Sequence, residues 1–158
     1  MDVDEIEVLR REIYRRITSA GILESDQIQL DNETAPERLP YCRITIAAAG
    51  EYAYASQGVM SRTVIAEFDV FGKALSDIRT FSSLAAAIER EFGKYDRDAS
   101  KRMIAMPGFS GVSASVARYG RGADRVEEKA GLYRISVLLY VKISLTTGAN
   151  YETQTGNE

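Results

Sequence analysis

Few residues in this chain could carry covalent chemistry. Its 158 residues include no histidine and one cysteine, Cys42. The common His/Cys zinc sites and the Ser-His-Asp arrangement therefore lack their members. Carboxylates, lysines and tyrosines remain as acid–base candidates, but nothing in the sequence clusters them. Glu127-Glu128 is an adjacent carboxylate pair; neighbouring side chains splay apart on any regular element, so the pair reads as a solvated loop. Cys42 falls on the apolar side of an alternating run and reads as an inert core thiol. Gly108-Phe-Ser-Gly111 has the glycine spacing of a nucleic-acid clamp but precedes a strand pattern. Gly120-Arg-Gly122 is a fragment of a dinucleotide fingerprint with no helix after it. Both read as turn glycines, and Asn32-Glu33-Thr34 as a chance sequon. The expectation is no catalytic residue, no metal and no cofactor.

Binding candidates are better represented. Twenty Lys and Arg stand against twenty-three Asp and Glu, a net charge of −3, which gives no global argument for gripping nucleic acid. Locally, residues 94–125 hold seven Lys or Arg against three Asp. Arg118, Arg121 and Arg125 are the candidates there, placed on a loop facing an acidic partner surface or passing DNA. The RREIYRR run near the N-terminus reads as a solvated helix face. A second group lies in residues 49–62, AGEYAYASQGVMSR. Tyr52, Tyr54, Val59 and Met60 are too apolar for an ordinary loop and are candidates for a protein interface. The competing reading folds them back on their own sheet.

These groups must be positioned by a sheet. Residues 132–145, LYRISVLLYVKISL, alternate cleanly, with Tyr133, Ile135, Val137, Leu139, Val141, Ile143 and Leu145 on one face. At about 3.3 Å per residue this strand spans roughly 45 Å, longer than a small core needs. Tyr41–Ala48 and Thr63–Phe71 alternate as well and read as a hairpin whose arms run past the core to a flexible tip. Gln27–Leu30 and Val112–Tyr119 are further strand candidates. Ile6, Leu9, Ile13 and Ile17 mark a helix over residues 4–20, with Asp4 and Glu7 as a capping box and Gly21 as its stop. A second helix covers Ser76–Phe92, with Ser76 as its cap. No apolar run approaches the length of a membrane span, and the first residues lack a signal-peptide pattern. The expected fold is α+β: a mixed, mostly antiparallel sheet of about four to five strands, a long projecting hairpin, and two helices on one face. Residues 1–145 form the expected single domain, and 146–158 a polar, disordered tail.

Three blocks then resemble the tail terminator, or tail completion, family of long-tailed bacteriophages and related gene-transfer particles. They are LPYCRITIAAAGEY, RTVIAEFDVFGKALSDIRTFSSLAAAIEREF and VEEKAGLYRISVLLYVKISL, carrying Pro40, Phe71 and Gly131. The resemblance implies a non-enzymatic virion protein at the neck end of the tail, assembled in the host cytoplasm. It implies a homo-oligomeric ring, typically a hexamer. Its partners would be the tail tube protein, which it caps, and a head-completion or connector protein, which it joins. DNA would pass through the lumen without specific binding. Residues 94–111 and the C-terminal tail are longer than in the shorter members. A connector role in the same neck is the alternative, followed by a nucleic-acid binder using residues 94–125. A small-substrate enzyme would need convergent polar groups in a cleft.

Overall fold

The structure is a computed structural model, and it describes residues 4–30, 34–73, 78–122, 126–129 and 131–151. It opens with helix α1 (Glu5–Ser19). The Asp4 side chain accepts from the Ile6 N–H at 2.9 Å, holding one of the unpaired first-turn donors. The expected capping box does not form. Glu7 turns outward to Arg10 and Arg11, because two guanidiniums one turn on compete for its carboxylate. Val8, Leu9, Ile13 and Ile17 are buried. Gly21 takes a φ of +72°, and the Ile22 N–H then returns to the Ile17 carbonyl, ending the helix as expected.

The strands are β1 (Ile28–Gln29), β2 (Tyr41–Ala48), β3 (Ala53–Ser56), β4 (Val59–Lys73), β5 (Met103–Ile104), β6 (Phe109–Arg121), β7 (Val126–Lys129) and β8 (Leu132–Tyr151). They form one mixed sheet. Its main path is β1-β2-β4-β8-β6-β5; β3 pairs β4 and β7 pairs β8 off that path. Among the described residues, β1 and β2 pair in parallel and every other pair is antiparallel. The α+β class holds, but the strand count exceeds the four to five expected. The additional strands β3, β5 and β7 are short pieces of two to four residues, too short for alternation to mark them clearly.

Helix α2 (Ile78–Glu91) shares one face of the sheet with α1. Cys42, Ile44, Val64, Ala66, Phe68, Val70, Ile135, Val137, Leu139, Val141 and Ile143 point at the two helices and are buried. Phe68 meets Phe92 with ring centroids 5.9 Å apart. Cys42 is sealed in this core, and burial, then the charge of Asp69, pushes its thiol up. The expected cap Ser76 lies outside the described residues.

Three expectations about the strands change. The hairpin tip is no flexible loop: β3 pairs the start of β4, and Gln57-Gly58 makes a two-residue turn with Gly58 at φ +75°. Strand β8 runs six residues past Leu145 into the expected tail, where after a register shift Ser110 and Phe109 of β6 pair Asn150 and Tyr151; residues 152–158 lie outside the described residues. Glu127-Glu128 sit on β7 rather than in a loop.

Candidate subunit interface

The helix layer ends before the sheet does. On the core face of β8, Ile143 is sealed, whereas Leu145, two residues on, is only partly buried. The boundary is marked by Glu5 in the first turn of α1. Its carboxylate accepts from the Tyr52 hydroxyl at 2.6 Å and from the Arg62 guanidinium at 3.1 Å. That guanidinium lies 4.7 Å from the centre of the Tyr52 ring. Burial, then the bond to Glu5, raises the Tyr52 hydroxyl well above its ordinary range. Tyr52 is thus held by its own domain, the competing reading of this residue.

Beyond that boundary lies a transverse apolar row. Tyr54 on β3 is opposite Met60 on β4; Met60 is opposite Leu145 on β8; Leu145 is opposite Val112 on β6. Side chains in register across antiparallel neighbours share a face, here the core face extended past its cover. Tyr54 is 79% exposed, while Met60, Leu145 and Val112 are partly buried. The structure therefore brings Tyr54 and Met60 together and separates them from the other two candidates. Val59 stands opposite Thr146 on the reverse face. Leu145 and Val112 belong to the row although the sequence assigned them only to strand faces. Their alternation was visible; the register that aligns them was not.

The three arginines do not form a common surface. Arg118 and Arg121 lie on strand β6, not on a loop. One extra residue between Val116 and Arg118 shifts the register, turning Arg118 to the reverse face, where its guanidinium sits 4.0 Å from the Tyr140 ring centre. Arg121 points the other way and grips Glu89 of α2 at 2.7 and 3.0 Å. Lys94 binds the same carboxylate at 2.9 Å. Burial of Glu89 favours its neutral form, but the bonds from Arg121 and Lys94 outweigh it and lower its pKa. Arg125 lies outside the described residues. The basic stretch is thus partly neutralised from within. Residues 94–111 also supply β5, which covers part of the β6 edge. Gly122 brings its backbone against β8, where an added Cβ would stand 2.8 Å from that of Ser136.

A polar cluster occupies the reverse face. Asp69, fully buried, accepts from the Ser136 hydroxyl at 2.5 Å and from Arg43 at 3.0 Å. Burial, then hydrogen bonding and charge from Asp69, raises the pKa of Glu67 beside it. Asp69 is held by the sheet's own Arg43. A groove of about 510 Å³ between α1 and β5 is lined by Glu12, Arg15, Arg16 and Glu91, which pair with each other. Among the described residues, no group of three or more side chains could hold a metal ion, and no helix is long and apolar enough to cross a membrane.

No family model matches this chain, and no curated protein matches it. Solved structures do. A chain from the virion of a native gene transfer agent particle superposes with a TM-score of 0.61 at 16% identity, over 90% of this chain and 99% of that one. A protein of no stated activity superposes with a TM-score of 0.56 at 12% identity, over 87% of this chain and 94% of that one. At these identities the likeness is one of fold.

Proposed function

We propose that this chain is a non-enzymatic structural component of a phage-like virion, and within it the tail terminator. In this reading, copies assemble as a ring, six by the resemblance, on the head-proximal end of the tail tube. The ring stops tube growth and presents the surface to which a head-completion or connector protein binds. DNA passes through the centre.

The observation that carries the reading is the row of exposed Tyr54 and partly buried Met60, Leu145 and Val112 on a sheet projecting beyond its helices. Apolar surface concentrated on a projection is what an obligate neighbour would cover. The virion component with nearly the same chain coverage supports the class. The near balance of charge is compatible with a lumen through which DNA slides, since many phosphate contacts would bind it tightly.

The test is electron microscopy of particles assembled without the gene. Overlong tubes, or tails that fail to join heads, are the expected result. Normal tails beside heads that leak DNA would move the protein to the connector position, and unaltered particles would end the reading. At the residue level, the Tyr54→Ala/Met60→Ala double variant should keep its fold and lose assembly. Normal assembly by that variant would remove the row from the interface.

A further inference from the structure

We propose that the projecting sheet is completed by a second copy of this chain, through head-to-tail antiparallel pairing of the outer edge of β3 with the outer edge of β6. This deepens the ring reading and rests on it for closure of the assembly; the edge pairing itself rests on the following geometry.

Past the helix layer the sheet consists of four strands in the order β3-β4-β8-β6. Each adjacent pair is antiparallel, so β3 and β8 run one way while β4 and β6 run the other. An even, alternating set has opposite directions at its two edges. A copy placed beside it by simple rotation therefore meets β6 with an antiparallel β3, and the alternation continues without a break. Antiparallel ladders also form the more stable pairing. The contact joins two different edges, so it is heterologous and propagates to a ring or a filament.

The edges themselves differ along the sheet. Near the core, β1 covers β2 at Cys42 and Arg43, and β5 covers β6 at Ala114 and Ser115. On the projection, among the described residues, no strand pairs the outer side of β3 or of Ser110–Ser113. Proteins guard such edges with charged residues or proline. Ala53-Tyr-Ala-Ser56 and Ser110-Gly-Val-Ser113 contain neither, and their register shifts, between Tyr54 and Ser56 and between Ser110 and Val112, leave Ala53-Tyr54 and Val112-Ser113 in regular pairing. The apolar row gives the register. It starts at Tyr54 on one edge and ends at Val112 on the other, so lateral repetition joins one copy's row to the next. The adjacent row on the reverse face is small: Ala53, Ser61, Ser144 and Ser113. It leaves the two edges free to approach.

The test uses the full chain carrying Ala53→Cys and Ser113→Cys, which the proposal places opposite each other across the new contact. Directly opposed residues on antiparallel strands lie within disulfide reach, and the native Cys42 is fully buried and does not compete. Mild oxidation should give a covalent ladder extending beyond the dimer. An equimolar mixture of the two single variants should stop at the dimer, and each single variant alone should stay uncrosslinked. A covalent dimer from Ala53→Cys alone would mean two-fold pairing of identical edges and would overturn the proposal. Absence of any ladder would overturn it too. Light scattering on the unmodified chain then separates the two ideas: a discrete oligomer without the ladder leaves a ring built through another surface. A ladder with no upper limit upholds the edge pairing while closure fails.

Discussion

Ile143 and Leu145 occupy the same face of one strand, two residues apart, and differ in what lies above them. Over Ile143 sits the helix layer, and the side chain is sealed. Over Leu145 the layer has ended, and the residue shares a half-covered row with Met60, Val112 and the exposed Tyr54. The same contrast holds for polar groups. Inside the covered part, each charge named here meets a partner: Glu89 with Arg121 and Lys94, Asp69 with Arg43 and Ser136, Glu5 with Tyr52 and Arg62. In the covered half apolar side chains are sealed and charges paired, whereas the projecting half leaves Tyr54 exposed and Met60, Leu145 and Val112 only partly buried.

The strongest way to break this comparison is in the core. Phe68 is fully buried against Phe92, and Phe68→Ala should cost about 3–5 kcal/mol, combining lost transfer energy with a cavity. Leu145→Ala should cost less, about 1–2 kcal/mol in the isolated chain, because Leu145 packs only at the margin of the core and stays partly open to water. Denaturant unfolding of both variants checks the ratio. Equal losses would mean that the projection is as much core as the rest.

The covered half was largely legible. Ile6, Leu9, Ile13 and Ile17 gave α1 by their spacing, and the alternation of Tyr41–Ala48 matched β2 at both ends. What escaped is instructive. TTGANY lacks alternating apolar residues, yet β8 continues through it, paired by β4 at Thr146 and by β6 at Asn150 and Tyr151. Arg118 shares sequence parity with Val112, Ala114 and Val116, but one bulge residue reverses its face. Parity read from sequence survives only as long as the ladder is regular. The row from Tyr54 to Val112 needs the register of three strand pairs at once. No local pattern contains that.

Acid should probe the covered half at intermediate strength. Glu89 has its pKa lowered below the ordinary 4.5 on folding. It binds its proton less tightly folded than unfolded, so its contribution is fully present above the unfolded value. That contribution is lost as pH falls through the lowered folded value. Glu89→Gln should therefore cost about 1–3 kcal/mol at neutral pH, where a buried acceptor loses its charge to Arg121 and Lys94. It should also flatten the decline in stability below pH 4.5. Unfolding measured from neutral to acid pH in both proteins shows this. An unchanged acid slope would mean the ion cluster does not couple to folding.

The smallest effects draw the boundary most finely. Tyr52 and Tyr54 are two residues apart on one arm, and the sequence grouped them. Only Tyr52 reaches Glu5. Tyr52→Phe removes a hydroxyl that donates to a carboxylate beside Arg62, and should cost about 1 kcal/mol. Tyr54 is mostly solvent-exposed, so Tyr54→Phe should leave the monomer's stability unchanged to within about 0.5 kcal/mol. Removing the whole ring in Tyr54→Ala should be just as silent in unfolding, while it weakens association. The two neighbours thus exchange their importance between the two measurements: Tyr52 registers in folding and Tyr54 in assembly. If both registered only in folding, the partly covered row would be a private surface of the monomer, and the case for a neighbouring copy would lose its main support.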